Sequence, residues 1–130
     1  MRFAVLGFVL LLATGCMSRN TSGEDGGSES TSLEISVTPG GEAPTKISTL
    51  RCPEGGTLPD AAEACNKLES LDDPFAPVPK DVACTQIYGG PQEADVRGVF
   101  RGGPVEAHFD RGNGCEIARW DKVQFLFPGA

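Results

Sequence analysis

CPEGGTLPDAAEAC, residues 52–65, changes character at its middle. Gly55-Gly56-Thr57 is turn chemistry, whereas Pro59-Asp60-Ala61-Ala62-Glu63 is a helix start. Proline and acidic residues suit a first helical turn, where backbone N–H groups are unpaired and the dipole end is positive. Ala61, Ala62, Cys65, Leu68 and then Leu71 fall at helical spacing, so the helix runs to about Ser70. On the N-terminal side, Leu33-Glu34-Ile35-Ser36-Val37-Thr38 alternates apolar with polar, and Pro39-Gly40-Gly41 stops it. Lys46 to Arg51 reads as a second strand. On the C-terminal side, residues 72–81 contain Pro74, Pro77 and Pro79 and are irregular. Ala94–Arg101 and Pro104–Asp110 flank Gly102-Gly103 as a hairpin. Asn113 caps a short helix to Trp120, and Val123-Gln124-Phe125-Leu126-Phe127 alternates as a closing strand. Five strands with two helices make an α+β fold.

The 130 residues leave room for one domain. The net charge of −7 argues against nucleic acid as a partner, which requires a basic face, and against docking on anionic lipid. A single His argues against multi-histidine metal sites and against a Ser-His-Asp hydrolase, so His108 beside Asp110 reads as a strand-surface residue. Asp72, Asp73 and Asp81 read as a solvated loop in preference to a calcium site, and no cofactor is expected. Trp120 reads as a core or dimer-seam residue.

The five cysteines are an odd number. Residues 1–15 combine Arg2, an apolar run from Phe3 to Ala13, and the small-residue end Thr14-Gly15, which is the pattern of an export signal. Leu12-Ala13-Thr14-Gly15-Cys16 resembles a bacterial lipobox. That resemblance implies lipid attachment at Cys16 and anchoring to the outer face of the cytoplasmic membrane, with plain secretion as the alternative. Residues 16–32 are then the lipidated Cys and a Ser, Gly and acidic tether. Its 16 residues after Cys16 reach roughly 20–25 Å as a random coil. Residues 33–130 form the domain. Four cysteines remain in it, Cys52, Cys65, Cys84 and Cys115, and their spacing leaves three pairings open.

Residues 33–130 resemble the Streptomyces subtilisin inhibitor-like family of secreted serine-protease inhibitors. The resemblance is carried in order by CPEGGTLPDAAEAC at 52–65, Ala83-Cys84-Thr85-Gln86-Ile87-Tyr88, Gly98-Val99-Phe100-Arg101-Gly102, Asn113-Gly114-Cys115-Glu116 and the Phe125-Leu126-Phe127 ending. It implies a five-stranded antiparallel sheet with two helices, and disulfides Cys52–Cys65 and Cys84–Cys115. It also implies a homodimer through the sheet and a subtilisin-like serine protease as partner. The reactive loop would be Ala83 to Tyr88, with Gln86–Ile87 as the scissile bond and Asn113 bracing the loop by hydrogen bonding. The chain departs from the family at Gln86, where Met or Lys is usual, and at Thr85, where Pro is usual. These departures predict weaker than usual inhibition of broad subtilisin-like enzymes. The competing reading is a surface binding or adhesion lipoprotein that keeps the fold without inhibiting. In neither reading is the chain an enzyme.

Overall fold

The computed structural model describes residues 30–130. The expected export signal, Cys16 and most of the expected tether lie outside the described residues. Strand β1 (Ser32–Thr38) is the middle of the sheet, and its alternation sends Leu33, Ile35 and Val37 to one face, where all three are fully buried. It pairs antiparallel with β2 (Lys46–Arg51) on one side and β4 (Glu93–Phe100) on the other. β3 (Gly55–Gly56) extends the sheet beyond β2, and β5 (Gly103–Phe109) extends it beyond β4, giving the order β3-β2-β1-β4-β5. In register, Ile35 faces Val96, Val96 faces Ala107, and Ala94 faces Phe109, so one continuous apolar face forms. Helices α1 (Ala61–Glu69) and α2 (Gly114–Val123) cover it, through Leu68 and Cys65 from α1 and Trp120 and Val123 from α2. The other face stays open and polar, with Glu34, Arg97 and Glu106 in line across β1, β4 and β5.

The disulfides are Cys52–Cys65 and Cys84–Cys115, in a five-stranded antiparallel sheet with two helices. The fifth strand, however, is not the expected one. Val123–Phe127 is not a strand: α2 runs on to Val123 and a single 3-10 turn, Gln124–Leu126, follows. Trp120, Val123, Leu126 and Phe127 are all buried, with Val123 three residues after Trp120, and Leu126 and Phe127 three and four after Val123. Five alternating residues at a helix end satisfy both periods, and here the helical one wins because Phe127 packs on Trp120 and Phe109, at ring-centroid distances of 4.6 and 5.4 Å. Trp120 is therefore a core residue. The fifth strand is Gly55–Gly56, which the sequence suggests as a turn.

Two further boundaries move. The hairpin turns at Arg101-Gly102 and not at Gly102-Gly103, with φ of +48° and +74°. Two positive φ values in a two-residue loop match the right-handed twist of the strands. The non-glycine Arg101 tolerates this because its guanidinium is anchored, donating to Glu69 O at 2.7 Å and Asp72 O at 3.1 Å. Those carbonyls lie at and just past the C-terminus of α1, where acceptors are left unpaired. The fold also takes in Ser30 and Thr31 ahead of the expected boundary. Ser30 O accepts from Gly102 N–H at 3.1 Å and Thr31 O from Cys52 N–H at 3.0 Å.

Candidate functional site

Between the prolines and β4, residues 82–90 form neither helix nor strand. Ala83, Thr85 and Gln86 are exposed, and Ile87 and Tyr88 are 59% and 70% exposed. Large apolar side chains standing in water gain nothing from burial, so other forces must hold this segment.

Those forces come from α2 and the turn that leads into it. Upstream, Cys84 is bonded to Cys115 with the Cα atoms 5.4 Å apart, and Gly114 N–H donates to Thr85 O at 2.9 Å. Downstream, Gly89 N–H donates to Arg111 O at 2.7 Å. Gly89 lies so close to α2 that a Cβ there would come within 2.8 Å of Ile117 Cδ1. Gln86, Ile87 and Tyr88 form the span between the two clamps. Among the described residues their backbones make no hydrogen bond, and only Gln86 Nε2 folds back, donating to Cys84 O at 3.3 Å.

Asn113 sits at the root of this arrangement. It is the N-cap of α2, its Oδ1 accepting from Glu116 N–H at 3.0 Å. Among the described residues, the bond from this corner to the loop is Gly114's, not Asn113's, so Asn113 shapes the helix end on which the loop rests. A side-chain oxygen at the N-cap satisfies a first-turn N–H, which leaves Gly114 N–H free to serve the loop.

Arg119 supports the approach to the loop. Its Nε donates to Ala76 O at 2.8 Å, and its Nη1 donates to Glu116 Oε2 at 2.6 Å and His108 O at 3.2 Å. Its guanidinium also lies over the Phe109 ring, 4.5 Å from the centroid. One largely buried cation thereby ties the proline-rich segment, α2 and β5 together. Phe75 anchors the same segment from inside, edge-on to Phe100 at 5.3 Å.

The resemblance names Ala83–Tyr88 and Asn113 but gives no role to Gly114, Arg111, Ile117 or Arg119. Gly114 has a sequence signal, as a glycine between an N-cap and a cysteine. Arg111 acts through its carbonyl, which no side-chain identity reveals. His108 pairs with Asp95 Oδ1 at 3.0 Å on the open face of the sheet, while Asp110 Oδ1 accepts from Gly112 N–H at 2.7 Å. Among the described residues no three His, Cys, Asp or Glu side chains gather as a metal site, and Asp72, Asp73 and Asp81 lie outside helix and strand.

The site is therefore an exposed segment, held on both sides and carried by a small disulfide-linked α+β domain. Over residues 29–113 the chain matches the family model described as subtilisin inhibitor-like, and it belongs to that family, a family of subtilisin-type protease inhibitors and not of enzymes. No curated protein matches the chain.

Proposed function

We propose that Ala83–Tyr88 is the reactive loop of a substrate-like inhibitor of subtilisin-like serine proteases, with Gln86–Ile87 as the bond offered to the protease. The observation that carries this reading is the double clamp, at Cys84 and Thr85 before that bond and at Gly89 after it. An extended segment binds a protease by adding a strand to it, and rigidity before binding lowers the entropy lost on association. The protease serine attacks the Gln86 carbonyl carbon. The C–N bond to Ile87 breaks, and the serine proton passes through the protease histidine to the Ile87 amine. That amine does not diffuse away, because Gly89 is tied to Arg111 and packed on Ile117. It returns to the acyl carbon, the peptide bond re-forms and the serine recovers its proton.

The test is a titration of subtilisin activity with the purified protein, followed by mass spectrometry of the complex. Stoichiometric loss of activity, with any slow cut confined to Gln86–Ile87, is the expected result. Rapid cleavage at that bond without inhibition, or no binding at all, overturns the reading.

Attachment through a lipid on Cys16, on the outer face of the cytoplasmic membrane, completes the proposal. Ser30 is bonded to the β4–β5 turn, whereas the loop feeds β4 at its other end, beside the end of β1. About 20 Å of strand separates the two ends, which supports a tether that leaves the loop facing outward. Cys16→Ala should release the protein from membranes, and an unmodified wild-type N-terminus would count against the anchor. A homodimer that pairs two copies through the open sheet face belongs to the same proposal. Sedimentation at low and high salt tests it.

A further inference from the structure

The tightest joint between loop and scaffold is a square of four residues. Cys84 and Cys115 share a disulfide, and their chain neighbours Thr85 and Gly114 share the N–H···O bond of 2.9 Å. Within this square Gly114 has no backbone reason to be glycine. It is the first residue of α2, and it is not among the residues with positive φ. Glycine also weakens a helix by its conformational freedom. The reason is space. A Cβ on Gly114 would overlap Thr85 Oγ1 and come within 3.3 Å of Thr85 Cβ. Gly114 has no easy retreat, since Asn113 caps the helix on one side of it and the disulfide holds Cys115 on the other, so Thr85 is the residue that must move.

We infer that Gly114 is a positioning residue for inhibition. Its N–H holds the Thr85 carbonyl and its missing Cβ seats the Thr85 side chain, so contact with α2 sets the register of Gln86 and Ile87. The inference rests on reading Ala83–Tyr88 as the reactive loop. A methyl group at position 114 pushes Thr85 outward, lengthens the N–H···O bond and turns the next peptide away from its clamped direction. Removing the Thr85 hydroxyl and methyl takes away the overlapping atom and leaves only the 3.3 Å contact, which a small shift relieves.

The experiment compares wild type, Gly114→Ala, Thr85→Ala and the double variant against subtilisin. It reads the inhibition constant and the rate of cleavage at Gln86–Ile87, with Trp120 near-ultraviolet dichroism and disulfide mapping reporting the fold. Gly114→Ala should raise the inhibition constant by about tenfold or more and speed cleavage. The double variant should return both values to those of Thr85→Ala. Wild-type behaviour in Gly114→Ala, or a double variant as weak as Gly114→Ala, overturns the inference. If Gly114→Ala does not fold, the double variant must fold and inhibit like Thr85→Ala, and its failure also overturns the inference. If wild type is cleaved without inhibiting, the loop reading fails, and the seat is still judged by whether the four cleavage rates keep the same order.

Discussion

The two disulfides have nearly the same reach, with Cα–Cα distances of 5.5 Å for Cys52–Cys65 and 5.4 Å for Cys84–Cys115, and yet they serve opposite kinds of structure. Cys65 is 2% exposed and packs in one apolar cluster with Leu50, Leu58 and Leu68, so that bond adds to an interior that burial already holds. Cys84–Cys115 fastens a segment whose apolar side chains, Ile87 and Tyr88, stand in solvent. There the covalent bond and two backbone hydrogen bonds replace burial as the source of order. A core corner tolerates the loss of one contact because many others remain. A displayed segment has only its clamps.

The sharpest way to break this comparison is to remove each bond. Under conditions where both variants are folded, Cys84→Ala/Cys115→Ala should lose about a hundredfold in subtilisin inhibition, a change of ~2.7 kcal/mol. Cys52→Ala/Cys65→Ala should keep the inhibition of wild type. Chain entropy alone assigns the 13-residue separation roughly 3 kcal/mol and the 31-residue separation roughly 3.7 kcal/mol of stability, so denaturant unfolding should show both variants weakened. Equal losses of inhibition in the two variants would erase the distinction.

A smaller effect is expected within the displayed segment. Gln86→Lys should create trypsin inhibition, because an ammonium facing a carboxylate pocket is worth about 1.5–3 kcal/mol, tenfold or more. Gln86→Leu should tighten subtilisin binding, because no amide then has to be desolvated. Parallel inhibition assays against both enzymes check this, and unchanged constants at position 86 would move the contact elsewhere.

The scaffold side predicts a stability change without a functional one. Arg101→Ala removes the donors to Glu69 O and Asp72 O and leaves a positive φ unsupported, which should cost about 1 kcal/mol by denaturant unfolding. The folded variant should inhibit like wild type. The smallest effect belongs to the exposed pair Glu63–Lys67, 2.6 Å apart. The hydrogen bond and charge of Lys67 hold the Glu63 carboxyl below its ordinary value. A lowered folded-state value means the pair stabilises above the ordinary carboxylate range and loses that contribution as acid protonates Glu63. Lys67 also lies over the Phe125 ring, 5.6 Å from the centroid, at any pH, so Lys67→Ala should lower the melting temperature slightly at neutral pH and by less at low pH.

Much of this architecture is legible because its causes are local. The alternation of Leu33 to Val37 makes β1 a strand with one buried face, Pro59 to Glu63 starts α1, and Asn113 caps α2 through Glu116 N–H. The four core-domain cysteines and the segment between Cys84 and Tyr88 are equally visible as residues, and the disulfide pairing by resemblance to a family. What stays hidden depends on atoms distant in sequence. Phe125-Leu126-Phe127 alternates like a strand, but Trp120 and Phe109 decide that it ends a helix. Gly55-Gly56 looks like a bare turn until Leu50 and Arg51 pair with it.

The sequence by itself determined that residues 33–38 form a strand and where the two helices start, because side-chain period and capping chemistry act over a few residues. Only the tertiary structure decided what holds that segment. The Arg111 carbonyl, the Gly114 N–H and the space above Gly114 are properties of backbone position, and position is set only when α2 has docked on the sheet.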